Sequence, residues 1–369
     1  MALEEYFENF RRRDWERDSV DGTVRLAVIG IGGFARNRAL PAIRAGTYCE
    51  TTVLVTGSQR RTREVADEFA VEHVVDYEGY LAGELADEYD AVYVSTPNAY
   101  HARYALSAAQ REKHVICEKP LEVRVDRARE IADACRQAGV ALMTAYRLQL
   151  EPTVRRCREL VADGVIGDVV QVHGGFSHPL LEYTSADTWR LDPELAGGGA
   201  LVDLGIYPIN TTRYLLDADP VSVYASTHSS GDPFDRVDEH VSVQLEFPGD
   251  ATAACTASFD AHASSQLQLV GTNGMISVIS PFGGVVPQDI VVESGEMRME
   301  HTGPPVDEVR EEFDYFGYCV QTGTRPEPDG TDGIADLRVI EAAYESAETG
   351  HRIELDPSRR GASNTDRGR

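Results

Sequence analysis

Lysine is almost absent from this sequence. Among 369 residues it occurs only at Lys113 and Lys119, and arginine carries nearly all the positive charge. Cysteine pairs are absent too. Cys49, Cys117, Cys135, Cys157, Cys255 and Cys319 are scattered without a CxxC spacing, as expected of buried free thiols in a reducing compartment. None of the ten histidines clusters with Cys or carboxylates in a ligand-like pattern, so no metal is expected. No apolar run reaches the roughly 18 residues of a membrane span. Arg11, Arg12 and Arg13 could open a twin-arginine signal, but Asp14, Trp15, Glu16, Arg17 and Asp18 follow where an apolar stretch is needed. These absences predict a cytoplasmic chain with no membrane partner.

Negative charge is abundant: Asp+Glu number 61 against 35 Lys+Arg, a formal net charge of −26. A phosphate backbone would be repelled, which excludes nucleic acid as a partner. So many carboxylates with so little lysine point to a cytosol of molar salt. At about 1 M salt the screening length is about 3 Å, so repulsion across such a surface is suppressed. A chain that has nearly given up lysine nevertheless keeps one at Lys119.

The length, with 42% hydrophobic residues, suits two domains. Residues 1–20 read as an amino-terminal arm, with Leu3, Tyr6, Phe7, Phe10 and Trp15 on helical spacing, packing on the body or on a neighbouring subunit. Over 21–146, apolar strands at 23–30, 52–57, 91–96, 114–117 and 140–144 alternate with helical patterns at 36–46, 60–70, 99–111 and 124–138. That alternation predicts an α/β Rossmann domain with a doubly wound parallel sheet. Over 147–355 the pattern changes to α+β. A helix at 151–163 precedes strands at 169–176, 221–227, 240–247, 252–259, 266–272 and 275–280, read as an open antiparallel sheet with one face free of helices. A last helix at about 332–349 ends at Gly350, and 356–369 is a polar tail expected to be disordered.

The first strand runs into Gly30-Ile31-Gly32-Gly33-Phe34-Ala35, a G-x-G-x-x-A loop before a helix. The glycines permit a tight turn and close approach of a pyrophosphate, and Ala35 lets helix and strand pack closely. NAD enzymes usually place an acid at the end of the second strand, on the ribose 2′-hydroxyl. Here Ser58-Gln59-Arg60-Arg61 follow Gly57, and a hydroxyl with two guanidiniums suits the 2′-phosphate of NADP.

Three further segments follow in order: Thr96-Pro97-Asn98 with His101; Glu118-Lys119-Pro120; and Trp189-Arg190 through Gly197-Gly198-Gly199-Ala200-Leu201, Asp203, Gly205, Tyr207 and Asn210. With the phosphate loop, they make residues 24–350 resemble the Gfo/Idh/MocA oxidoreductases. Tyrosine rather than histidine at 207 resembles the glucose-fructose oxidoreductase and dimeric dihydrodiol dehydrogenase branch. The resemblance implies NADP-dependent oxidation of an aldose at its C1 hydroxyl, a pentose such as D-xylose to its lactone. Glucose-fructose oxidation–reduction, diol oxidation and a non-catalytic sugar-pathway regulator stay open. It also implies a homodimer or homotetramer formed through the second sheet, a cis bond before Pro120, and a cofactor lined by Thr96, Pro97, Asn98, His101 and Glu118. Tyr146 and Arg147, which start the second domain, are expected to reach the sugar.

In such a reaction a proton leaves a hydroxyl while hydride leaves the same carbon, so a base and a cation must converge on one oxygen. Lys119, at the carboxyl end of a parallel strand, can supply the charge. Tyr207 can act as base if positive charge lowers a phenol's ordinary pKa of about 10. Asp203, four residues earlier on the same helical face, would hold the sugar and orient the pair.

Overall fold

The computed structural model describes residues 3–8, 10, 12–284, 287–303 and 305–356, without the side chains of Gln59, Arg60 and Arg61. The polar tail therefore lies outside the described residues from 357 onward. Of the amino-terminal arm only α1 (Glu5–Glu8) is helical. The arm folds back on its own chain: the Tyr6 hydroxyl donates to Asp163 at 2.7 Å, and Arg13 Nε donates to Glu311 at 2.8 Å.

The first unit alternates as expected. It comprises β1 (Val24–Ile29), a π-helical turn (Ala35–Ala39) leading into α2 (Leu40–Ala45), β2 (Cys49–Val55), α3 (Gln59–Phe69), β3 (His73–Val75), α4 (Tyr77–Ala82), β4 (Ala91–Val94), α5 (His101–Ala109), β5 (His114–Glu118), α6 (Val125–Ala138) and β6 (Leu142–Ala145). The sheet is parallel throughout, in the order β3-β2-β1-β4-β5-β6. Its central strands are covered on both faces, which is why β4 is apolar throughout and β1 is apolar but for Arg25. The order reverses between β1 and β4, and the carboxyl ends of those strands form the crevice where such sheets bind ligands.

The second unit holds α7 (Pro152–Ala162), β7 (Val169–Ser177), α8 (Pro193–Ala196), α9 (Ile206–Leu216), β8 (Ser222–His228), β9 (His240–Glu246), β10 (Thr252–Ser258), β11 (Ser264–Gly271), β12 (Gly274–Ile279), β13 (Asp289–Ser294) and β14 (Met297–Thr302). Helices α10 (Glu308–Thr322) and α11 (Gly330–Thr349) and strand β15 (Ile353–Glu354) follow. The nine-stranded sheet has the order β14-β13-β12-β11-β7-β10-β9-β8-β15. It is antiparallel except where β10 pairs parallel with β7, a departure from the fully antiparallel expectation. The strands alternate buried and exposed residues, so one face packs on α9 and α11, with α7 against α9, while the other is open.

Helix α10 departs from the expected division at residue 147. It returns to the first sheet, where Val309, Phe313 and Phe316 join Leu26, Val28, Tyr93 and Ile116 in one core. No helix among the described residues is long and apolar enough to cross a membrane.

Candidate active site

Gly30 ends β1 with φ +92°, and a Cβ there would lie 2.6 Å from the Ser95 carbonyl oxygen after β4. Only glycine fits this crossing. Beyond it Ile31 and Gly32 form an open turn, and Gly33 and Phe34 begin the helix. A Cβ on Gly32 or Gly33 would meet nothing within 4 Å, whereas Ala35 is fully buried where helix meets strand. The Thr96 hydroxyl, on the neighbouring loop, is buried without a hydrogen-bond partner. An unfilled cradle of backbone beside an orphaned hydroxyl fits a dinucleotide pyrophosphate. Ser58 is exposed at the start of α3, its hydroxyl not spent on capping the helix. Arg60 and Arg61 fall in the first turn of α3, but their side chains lie outside the described residues.

The other residues expected at the cofactor serve different ends. The Asn98 amide donates to the Ala196 carbonyl at 2.8 Å, strapping the first unit to the segment ahead of the triple glycine. His101 is fully buried, its Nδ1 3.0 Å from the Pro120 carbonyl and its Nε2 3.0 Å from that of Thr96. Burial lowers its pKa to about 4, and both nitrogens are occupied, so the ring joins two site loops rather than offering a ligand. Pro97 is half-buried between them. Glu118 accepts from the Tyr93 hydroxyl at 2.5 Å; burial raises its pKa against the pull of Lys119 and Arg147.

Lys119 follows β5, and its bond to Pro120 is cis. Its ammonium donates to the Asp203 carbonyl oxygen at 2.7 Å and to Asp203 Oδ1 at 3.2 Å, and lies 4.6 Å from the centre of the Tyr207 ring. Arg190 Nε donates to the other carboxylate oxygen at 3.1 Å. Burial would raise the pKa of Asp203, but the two cations outweigh it and hold the carboxyl down at about 2.

Asp203 lies in a π-helical segment (Leu201–Gly205) that runs into α9, and this chain path puts Tyr207 beside it. The start of the segment is held by Asp238, whose carboxylate accepts from Gly199 N and Leu201 N at 2.7 Å each. Any side chain at Gly199 would overlap the Asp238 carbonyl, which explains a glycine here on packing grounds alone.

Tyr207 is buried against Phe176, edge-on at 5.4 Å, and Phe282 at 6.0 Å. Arg147 does not point away from it toward a sugar: its guanidinium donates to the Tyr207 hydroxyl, with Cζ 4.6 Å from the ring centre. Tyr146 is buried with Asp336, Asp332 and Arg213 as charged neighbours, on a different side of α9, and is not brought to the site. Sequence reasoning passed over Arg190 as a partner of Asp203, although it stands in the Trp189-Arg190 pair. It also passed over Glu308, which accepts from Arg147 Nε at 2.5 Å.

The family model described as an oxidoreductase family with an NAD-binding Rossmann fold matches residues 24–146, and the GFO/IDH/MocA C-terminal domain matches 154–277. The D-xylose 1-dehydrogenase [NADP(+)] of Haloarcula marismortui is 42% identical over 351 residues, covering 94% of this chain and 98% of that protein. D-xylose 1-dehydrogenase (NADP(+)) 2 of Haloferax volcanii is 35% identical, covering 90% and 100% respectively. Among solved structures, aldose-aldose oxidoreductase from Caulobacter crescentus, complexed with glycerol, superposes with a TM-score of 0.84 at 30% identity, covering 90% of this chain and 100% of that one. The chain belongs to the Gfo/Idh/MocA oxidoreductase family.

Proposed function

We propose that this protein oxidises the C1 hydroxyl of an aldose, D-xylose to D-xylonolactone, with NADP as hydride acceptor. The observation that carries the reading is the meeting of Lys119, Asp203 and Tyr207 at the mouth of the dinucleotide crevice. Two relatives named as NADP-dependent D-xylose dehydrogenases support the substrate and cofactor. Gly30 to Ala35 and Thr96 would hold the pyrophosphate, and Ser58, with Arg60 and Arg61, the 2′-phosphate. When bound, the nicotinamide accepts the hydride that C1 gives up. Tyr207 takes the proton of the C1 hydroxyl as the C1–O double bond forms. Lys119 presents positive charge to the same oxygen. Asp203, ionised between Lys119 and Arg190, fixes the ammonium and offers the sugar an acceptor.

A panel of aldoses assayed with NADP in molar KCl tests this, together with Lys119→Ala and Tyr207→Phe. A positioned acid–base group contributes roughly 10²- to 10⁴-fold, so each variant should lose at least about a hundredfold in kcat. Wild-type kcat in both would reject the assignment. The aldose-aldose oxidoreductase neighbour favours a second reading, in which a second aldose takes back the hydride. Turnover of two aldoses without added NADP would establish it.

The chain is proposed to act in the cytoplasm of a salt-rich cell, as a homodimer or homotetramer formed through the open face of the nine-stranded sheet. Across β8, β9, β10, β7, β11 and β12 that face presents the row Tyr224, Gln244, Ala254, His173, Gln268 and Ser277. The row contains no Asp, Glu, Lys or Arg, in a chain with 61 acids. A row spared from charge in so acidic a molecule suits a second copy better than water.

A further inference from the structure

Arg147 is placed in an unusual way for a residue beside a sugar-oxidising site. Its side chain is 15% exposed and each of its three nitrogens already has an acceptor: Nη1 the Tyr207 hydroxyl, Nε Glu308 at 2.5 Å, and Nη2 the Phe282 carbonyl at 3.5 Å. Glu308 is 1% exposed, held in the first turn of α10, and its second oxygen has no hydrogen-bond partner. The pair therefore makes a fixed rod from α10 to the phenol oxygen.

A guanidinium cannot accept a hydrogen bond and does not deprotonate in proteins. The phenol oxygen must accept from it, so the Tyr207 proton is directed elsewhere and a phenolate would be met by a permanent positive charge. We infer that Arg147 and Glu308 are positioning residues for the base, the guanidinium favouring the tyrosinate and the carboxylate limiting that effect. The inference rests on Tyr207 as the base and adds how it is tuned.

The charged groups facing this point come from several elements. Lys119 and Glu118 approach from the end of β5, Asp203 from the helical segment before α9, and Glu308 and Glu312 from α10. Burial and the neighbouring Glu118 push the pKa of Glu312 well up, and Glu308 is the acid that accepts from Arg147 Nε. Arg147 and Glu308 therefore act on the phenol with opposite sign.

The test is the acidic limb of the kcat/KM–pH profile for aldose oxidation. Arg147→Met should move it to higher pH by about one unit, a tenfold change in the proton equilibrium. Glu308→Gln, nearly isosteric and still able to accept from Nε, should move it to lower pH. Arg147→Lys should restore part of the Arg147→Met shift. Because Arg147→Met leaves a buried carboxylate unpaired, the double variant Arg147→Met/Glu308→Gln provides a stable form, and its limb should fall between those of the wild type and Arg147→Met. A purely structural role predicts uniform loss of activity with the limb unmoved, or shifts of one sign, and either would overturn the inference. Tyr207→Phe separates the two levels. If its residual activity keeps the acidic limb, the base assignment falls and this inference with it. If it loses the limb while the Arg147 and Glu308 variants leave it in place, only this inference falls.

Discussion

Lys119 and Asp203 touch twice: the ammonium lies 2.7 Å from the aspartate's own carbonyl oxygen and 3.2 Å from its carboxylate. A residue at a strand end of the first sheet is thereby fixed by the segment that leads into Tyr207 in the second unit. The two halves of the site cannot drift apart without breaking both contacts.

That pairing gives a pH signature. Asp203 titrates near 2 when folded, against about 3.9 in an unfolded chain. A depressed carboxylate pKa contributes stability that is complete above the unfolded value and is lost as pH falls through the folded one. The stability advantage of the wild type over Asp203→Asn should stay constant above about pH 5 and shrink between about pH 4 and pH 2. Denaturant unfolding in molar KCl measures it. A gap that stays constant down to about pH 2 would contradict the ion pairs.

Cofactor choice should turn on the end of β2. Ser58→Asp places a carboxylate where the 2′-phosphate is expected, repelling NADP and offering an acceptor to the 2′-hydroxyl of NAD. The ratio of kcat/KM for NADP over NAD should drop at least about tenfold, or 1.4 kcal/mol. An unchanged ratio would move the discriminating contact elsewhere.

The uncharged row across β8 to β12 makes a prediction about assembly. Gln244→Arg with Ala254→Arg puts two charges at the centre of the proposed contact, where their desolvation is costly. Light scattering in molar salt should then report a protomer mass in place of an oligomer. An oligomer as stable as the wild type's would place the interface elsewhere.

Salt should govern stability. The net charge of −26 is screened over about 3 Å at 1 M but over about 10 Å at 0.1 M. Tm and activity should both fall steeply as KCl is lowered from molar to about 50 mM. The same Tm at both concentrations would argue that the acidic surface is tolerated without screening.

Much of this was legible in the residues, for identifiable reasons. The phosphate loop, Lys119 and the Asp203–Tyr207 spacing stood out because close backbone approach, a lone ammonium and helical periodicity each leave a mark in one dimension. Strand β3 and helix α4 were not anticipated: three strand residues and a six-residue helix are too short to set up a period. Strands β13 and β14 went unread as well, their exposed edge residues breaking the apolar alternation. Glu308 was invisible for the opposite reason. One acid among 61 carries no signal until its burial and partner are known. His101 and Arg147 were noticed but misdirected, since spacing gives a position along the chain and not the direction of a side chain.

The return of α10 to the first sheet bears on any attempt to dissect the molecule. A fragment ending near residue 146 would contain every element expected of a free dinucleotide-binding module. It would also leave Leu26, Val28 and Tyr93 bare where Val309, Phe313 and Phe316 belong. Such a truncation should be insoluble on expression, and grafting 305–325 onto it by a linker should recover a soluble product.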